Sequence, residues 1–311
     1  MSLVYSRRQF LATTSATIAA SLAASLGASL ARPAFAFAAD SPYLSSIGLQ
    51  AYTVRDQLAA DEDATMKAIA DAGYKQVELG SVSAEAMRQA KKARDLGMKV
   101  TSSFCDFKTF TTKGGIGVTS VDDLLRDAEA MKLEHVVFGY IPKGSRETVA
   151  QYSGMADRCN GAAPKFRDAG IQLCYHNHSF EFAPLKGSDK TGFDCFVEMF
   201  EPSMMFELDV FWVKIGGLDP LAMLRKLDGR VSQVHLKDLK AGTQTQWDEG
   251  QVAKDAFQEL GDGEIDMTEV MRVAKEIGAV QCHVEQDQSP APLDSIVQSI
   301  NYLRQPATAP N

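Results

Sequence analysis

The feature that most constrains this chain is an alternation. From Asp40 onward, short apolar runs take turns with stretches of helical spacing, eight times over. The runs span residues 47–52, 76–79, 99–105, 135–140, 171–176, 204–210, 231–236 and 280–285. Each is short, nearly continuous in apolar side chains and bounded by Gly, Asp or Lys, as strands buried on both faces are. Helical periodicity fills 65–72, 84–96, 121–131, 149–169, 193–200, 220–227, 268–277 and 293–303. Three of these stretches close the same way before a strand, at Ala72-Gly73-Tyr74, Ala169-Gly170-Ile171 and Ile277-Gly278-Ala279. Glycine there suits the left-handed cap that ends a helix. Eight strand–helix units in about 265 residues have the size of a (β/α)8 barrel. An open doubly wound sheet would want a Gly-x-Gly-x-x-Gly turn after its first strand, where this chain has Thr53-Val54-Arg55-Asp56. The expected fold is therefore α/β, a single-domain (β/α)8 barrel over residues 41–304, with a frayed tail at 305–311. Gly114-Gly115-Ile116-Gly117 reads as a mobile loop. The polar insert 241–264 after the seventh strand reads as a lid over the barrel mouth.

Ahead of the barrel, residues 1–38 read as an address. Arg7-Arg8-Gln9-Phe10-Leu11 precedes a long Ala- and Ser-rich run that ends in Ala34-Phe35-Ala36 and Ala36-Phe37-Ala38. A basic start, an apolar stretch and a small-residue cleavage site make a secretory signal, and the paired arginines resemble a twin-arginine signal. The run lacks the Leu, Ile and Val density of a stable membrane span. The expectation is a periplasmic or secreted protein whose mature chain begins near Phe37 or Ala39. Five cysteines, an odd number, read as buried free thiols rather than a disulfide framework. With 32 Lys+Arg against 40 Asp+Glu the net charge is −8, so the chain has no electrostatic reason to follow nucleic acid.

The strand ends carry the chemistry. In such a barrel the C-terminal ends of the strands form the active face. Here they read Val77-Glu78-Leu79, Tyr175-His176-Asn177-His178 with Glu181 just beyond, Glu207-Leu208-Asp209, Val234-His235-Leu236-Lys237-Asp238 and His283-Val284-Glu285. By period two, His176 and His178 share a face, as do His283 and Glu285, and as do Glu207 and Asp209. Asp209 lies nearer the mouth and Glu207 deeper. Buried charge is costly unless paired, so charges at equal depth on neighbouring strands point to a shared cation. His135 opens its strand at the opposite end and reads as structural.

These motifs resemble the xylose isomerase-like TIM barrel superfamily of sugar isomerases and epimerases. The matching pieces are Gly48-Leu49-Gln50-Ala51-Tyr52, Gly73 to Glu78, Tyr175 to His178, Leu208 to Trp212, Val234 to Asp238, Gly261-Asp262-Gly263 and Val284-Glu285. The resemblance implies one divalent cation held by a strand-five carboxylate, a strand-six Asp, a strand-seven His and a strand-eight Glu. Carried over by position, the ligands are His176, Asp209, His235 and Glu285, with His178 or Glu181 as alternatives to His176. An imidazole at His176 in place of an anion departs from the family. Two others are Phe104, where many relatives have a substrate-contacting histidine, and Trp212, where some epimerases do. The resemblance implies manganese first, with cobalt, iron, zinc or magnesium as alternatives, and a mixed N/O set suits Mn, Co, Fe or Zn better than Mg or Ca.

The resemblance further implies proton removal beside a carbonyl to give an enediolate, and so isomerisation or epimerisation of a sugar or keto-sugar. Glu285 is the expected base, partnered by His176, His178 or Glu181, with Lys237 neutralising developing charge. Tyr52, Glu78, Phe104 and Trp212 are expected at the substrate, the aromatic rings stacking on the sugar. No basic cluster argues for a phosphate, and export speaks against one. Elimination, as in an inosose dehydratase or a lyase of 3-keto-glycosides, is the alternative reaction, and a non-catalytic sugar-binding barrel the second alternative. The expected partner is a small carbohydrate, with no nucleic acid and no stable membrane span; a homo-oligomer is left open. A nuclease on this barrel would want a basic surface.

Overall fold

The computed structural model describes residues 43–305; the signal reading of residues 1–38 and the tail after 305 lie outside the described residues. Eight parallel strands form the barrel: β1 Gly48–Gln50, β2 Gln76–Glu78, β3 Ser102–Phe104, β4 His135–Phe138, β5 Gln172–His176, β6 Met204–Asp209, β7 Val231–Leu236 and β8 Gln281–Val284. Seven neighbouring pairs are laddered, and β8 pairs with β1. The seam between β2 and β3 is joined more loosely, by bridges at Gln76–Lys99 and Leu79–Ser103. The single-domain barrel is therefore nearly closed, with helices between its strands.

The eight expected helices form within a few residues of where the periodicity placed them, and short helices at Arg55–Ala60, Lys108–Thr111 and Val210–Ile215 were not expected. Thr148 and Thr191 each make a capping box with the residue three positions on, opening Val149–Asp168 and Gly192–Met199. Gly73 and Gly278 close helices at φ 99° and 83°, a region that favours glycine. The five cysteines are free and buried. Among the described residues no helix is long and apolar enough to cross a membrane.

Several boundaries differ from the expectation. β1 stops at Gln50, and Ala51–Val54 turns into a 3-10 helix whose first turn is capped by the Gln50 side chain. That turn lifts Tyr52 onto the rim, where it is 48% exposed beneath the Arg55 guanidinium. The insert after β7 is an ordered wall of short turns, Glu249–Gln251 and Lys254–Ala256, and an antiparallel ribbon of Asp238–Leu239 with Phe257–Gln258. The Asp238 carboxylate pins its far end by accepting backbone N–H bonds from Gly261, Gly263 and Ile265 at 2.9–3.1 Å.

Candidate active site

Parallel register sets the depth of each polar side chain. Asp209 on β6, His235 on β7 and His283 on β8 are successive Cα partners, as are His176 and Glu207 on β5 and β6. Alternation then turns these residues into the barrel. Two layers result, joined by one ring, that of His235.

The upper layer brings together His176, Asp209, His235 and Glu285, with ligand atoms all within 4.8 Å of one another. Local structure fixes each of them. Asp209 ends β6 and caps the helix Val210–Ile215, its Oδ1 accepting from the Trp212 N–H at 3.1 Å. Asn177 clamps the same strand end, its amide exchanging hydrogen bonds with both backbone groups of Asp209. The other Asp209 oxygen, Oδ2, lies 3.9 Å from His176 Nε2 and 3.9 Å from His235 Nδ1. His235 Nδ1 is 2.9 Å from Glu285 Oε2. The Lys237 ammonium lies among the acids, 3.0 Å from Asp209, 2.8 Å from Glu285 and 2.8 Å from Asp287. Burial presses the Glu285 carboxyl upward, but Lys237 and then His235 outweigh it and hold it down to about 2. Burial lifts Asp287 to about 6 against the pull of Lys237.

The lower layer is sealed. Glu78 and Glu207 are fully buried and face His235 Nε2 at 2.7 and 3.2 Å. His176 turns its Nδ1 to Glu207 at 3.2 Å, so that Nε2 faces the upper layer. Burial, then the charge of Glu78, pushes Glu207 well above the usual carboxylate range. Burial first, and then the cationic neighbours His235 and Lys237, keep His176 neutral. A carboxylate behind each imidazole fixes which nitrogen faces up, the arrangement that metal-binding histidines share.

The donor set fits a divalent cation. His176 Nε2 and His235 Nδ1 face Asp209 Oδ2, which is buried and has an ion pair with Lys237 but no directed hydrogen bond. Two imidazoles and two carboxylates with free valences toward a cavity suit a transition-metal ion.

Above this layer opens a cavity of about 460 Å3. Tyr52, Phe104, His176, His178, Trp212, Lys237 and Glu285 all line it, with Asp287, Tyr140, Glu249 and Phe257 beside them. Phe104 is seated by Gly139, where a Cβ would fall 2.0 Å from its ring, and it edges onto His176. The His178 ring stacks on Phe180, tilts across Trp212 and edges onto His176, but it is not one of the four ligands. Burial drives it down to about 3, so it is neutral. Trp212 Nε1 is buried without a partner.

Two expected positions require correction. Glu78 does not reach the cavity; β2 ends at this residue, and its carboxyl faces inward to the floor, where the Gln50 amide and Ser102 hydroxyl donate to it. Glu181 lies in the 3-10 turn Phe180–Phe182, which carries it off the inward face of β5. It accepts from the Tyr175 hydroxyl and from the His178 N–H, and is sealed behind the site. Conversely, sequence reasoning gave no role to Asp287, though it continues the His283–Glu285 alternation by one more step. It also missed Arg146, which grips Glu249 of the insert with both carboxylate oxygens at 3.0 and 2.8 Å.

Residues 66–305 match the xylose isomerase-like TIM barrel family. An inosose dehydratase of Clostridium beijerinckii is 24% identical over 261 residues, spanning 75% of this chain and 86% of that protein. Among solved structures, a sugar phosphate isomerase/epimerase from Parabacteroides distasonis superposes with a TM-score of 0.66 at 22% identity, covering 83% of this chain and 97% of that one. The IolI protein with a bound zinc atom superposes with a TM-score of 0.59 at 13% identity, covering 83% and 95%. At these identities the structural likenesses speak for the fold.

Proposed function

The chain belongs to the xylose isomerase-like TIM barrel family, and on that premise we propose that it is an exported, metal-dependent isomerase or epimerase of a sugar or keto-sugar. The observation that carries the proposal is the convergence of His176, Asp209, His235 and Glu285 beneath an aromatic cavity. These four residues would hold the cation, manganese first among the candidates. When bound, the cation supplies the Lewis acidity that makes a C–H bond beside a carbonyl removable. Glu285, kept ionised beside Lys237, takes the proton. Lys237 faces the oxygen on which negative charge gathers. Trp212, Phe104 and Tyr52 pack against the carbon face of the ring, and Trp212 Nε1 donates to a hydroxyl. In an isomerisation Glu285 returns the proton to the neighbouring carbon, and His178, neutral at working pH, hydrogen-bonds the substrate from beside Trp212.

Glu285→Gln tests this. Turnover should fall by about 10²–10⁴-fold, the size of a general-base contribution. Exchange of the substrate C–H with solvent deuterium should stop as well. Exchange at the wild-type rate in Glu285→Gln, with loss of exchange in His178→Asn, would place the base on β5. Elimination is the second reading, and Asp287 favours it. A carboxyl near 6 beside Lys237 can be protonated when a leaving group departs. Formation of an unsaturated product from a 3-keto-glycoside or an inosose would select it. Export is proposed from Arg7-Arg8 and the two Ala-x-Ala sites. Changing both arginines to lysine should retain the precursor in the cytoplasm, and unchanged export would reject that route.

A further inference from the structure

The four side chains Glu78, Glu207, His235 and His283 form a second group, with ligand atoms all within 4.8 Å and every residue buried. The proposed function uses His235 alone among them. Three observations mark the group as a built site. His283 Nδ1 is buried with no hydrogen-bond partner and points between Glu78 Oε2 at 3.9 Å and Glu207 Oε1 at 4.0 Å. A sealed imidazole nitrogen beside two carboxylates, yet beyond hydrogen-bond reach of both, faces a space that another atom can bridge. The backbone is also cut back to admit this ring, since a Cβ on Gly48 would lie 2.2 Å from His283 Cδ2. And the two carboxyls are braced from behind. Ser102 and Gln50 donate to Glu78 at 2.5 and 2.8 Å, and Gln233 donates to Glu207 at 3.0 Å. Ligating carboxylates are held in this way.

We propose that this lower group is a second divalent-cation site, joined to the upper one through the His235 ring. His235 would serve both, Nδ1 upward and Nε2 downward, as a bridging imidazolate. The ligand atoms, all within 4.8 Å of one another, can close on one ion. His235 Nε2 lies 2.7 Å from Glu78 Oε2 and 3.2 Å from Glu207 Oε2, and His283 Nδ1 lies 3.9 Å from Glu78 Oε2 and 4.0 Å from the other Glu207 oxygen, so a small turn of the Glu207 carboxyl brings one oxygen to both rings at the bond length of about 2.0–2.1 Å that zinc takes. Two carboxylates and two imidazoles suit zinc or cobalt rather than magnesium or calcium.

The protons balance. As the two cations take the electron pairs of His235, both of its ring hydrogens leave to solvent, the one that Nε2 directs at Glu78 to the lower ion and the one that Nδ1 directs at Glu285 to the upper. The proton that burial holds on Glu207 leaves with them. His283 needs its hydrogen on Nε2, 3.3 Å from the Gln76 amide nitrogen. Turning that amide over puts its oxygen there to accept, and its nitrogen donates to the Thr101 hydroxyl, which now donates to it at 3.1 Å. His283 Nδ1 then presents a lone pair to the site. The inference rests on these residues and not on the proposed reaction.

Zinc per chain, measured after chelator-stripped protein is dialysed against zinc, is the test. The wild type should hold two ions, His283→Gln one and Asp209→Asn one. A wild type that holds one ion, retained in His283→Gln, overturns the lower site and leaves the upper one standing. Two ions in His283→Gln overturn it too, because the second would then lie elsewhere. No ion in the wild type overturns both sites. If His283→Gln does not fold, copper(II) loading of the wild type decides. Two copper ions across one imidazolate couple their spins, so the paramagnetic resonance signal should fall on adding the second equivalent. Two full, independent signals would reject the bridge.

Discussion

Glu207 and Asp209 stand two residues apart on β6, face the same way and are both fully buried. Their surroundings divide them. Glu207 has donors on both oxygens, from Gln233 on one and from the His176 and His235 rings on the other. Asp209 spends one oxygen on a helix N-cap and turns the other toward Lys237 and the two imidazoles His176 and His235. Toward the upper cation the two acids therefore differ in role. Asp209 offers it an oxygen, and Glu207, whatever it holds below, orients the two imidazoles that bind it.

Paired substitutions would break or sharpen that contrast. The largest effect is expected from Asp209→Asn, which should abolish tight binding of the upper cation, while Glu207→Gln should weaken it by about 10–100-fold, as loss of an orienting carboxylate does. Competition with a chromophoric chelator measures both. Equal losses would mean that floor and rim act as one unit.

Next in size is Trp212→Ala, at the cavity wall. It should raise KM by about tenfold, near the upper end of an aromatic packing contribution, and leave metal content unchanged. Trp212→Phe should restore most of the packing but not the Nε1 donor. A fall in kcat with KM unmoved would place this ring in the chemistry instead.

The smallest effect concerns Glu181, outside both layers. Burial pushes its carboxyl from an ordinary 4.5 up to about 8, against the Tyr175 hydroxyl and two backbone N–H groups. The folded protein therefore keeps a proton that the unfolded chain releases. Stability from this group is fully present below pH 4.5 and is lost as pH rises through about 8. The slope between is at most about 1.4 kcal/mol per pH unit. Denaturant melts of Glu181→Gln over pH 5–8 should be flatter than those of the wild type. An unchanged slope would show that the buried carboxyl is ionised.

Much of this was legible in the sequence, and the exceptions have physical causes. Strand β7 and the eight long helices lie close to where apolar periodicity put them, because the strand is buried on both faces and each long helix on one, whereas the short helices Arg55–Ala60, Lys108–Thr111 and Val210–Ile215 are too brief to show a period. His176, Asp209, His235 and Glu285 could be read as one group because alternation holds as long as the strand does. It fails where the backbone leaves the strand. Glu181 follows β5 by five residues, and a 3-10 turn rotates it behind the wall. Glu78 kept the right parity but sits one layer too deep, since β2 stops there. Depth depends on the stagger between strands, and no single strand encodes that. Arg146 and Glu249 meet across more than a hundred residues of chain, beyond any spacing rule.

That last contact bears on how the protein meets its surroundings. The insert beside the cavity is held to the loop after β4 by two ion pairs of different character. Lys143–Asp248 is 62% and 38% exposed, and dissolved ions will weaken it. Arg146–Glu249 is 8% and 15% exposed, with the guanidinium 3.6 Å above the centre of the Phe180 ring. Ions in solution screen such a shielded pair far less. The cavity wall should accordingly keep its shape from dilute to strongly saline media, so that salt tolerance is set by this one arginine rather than by the charge of the surface.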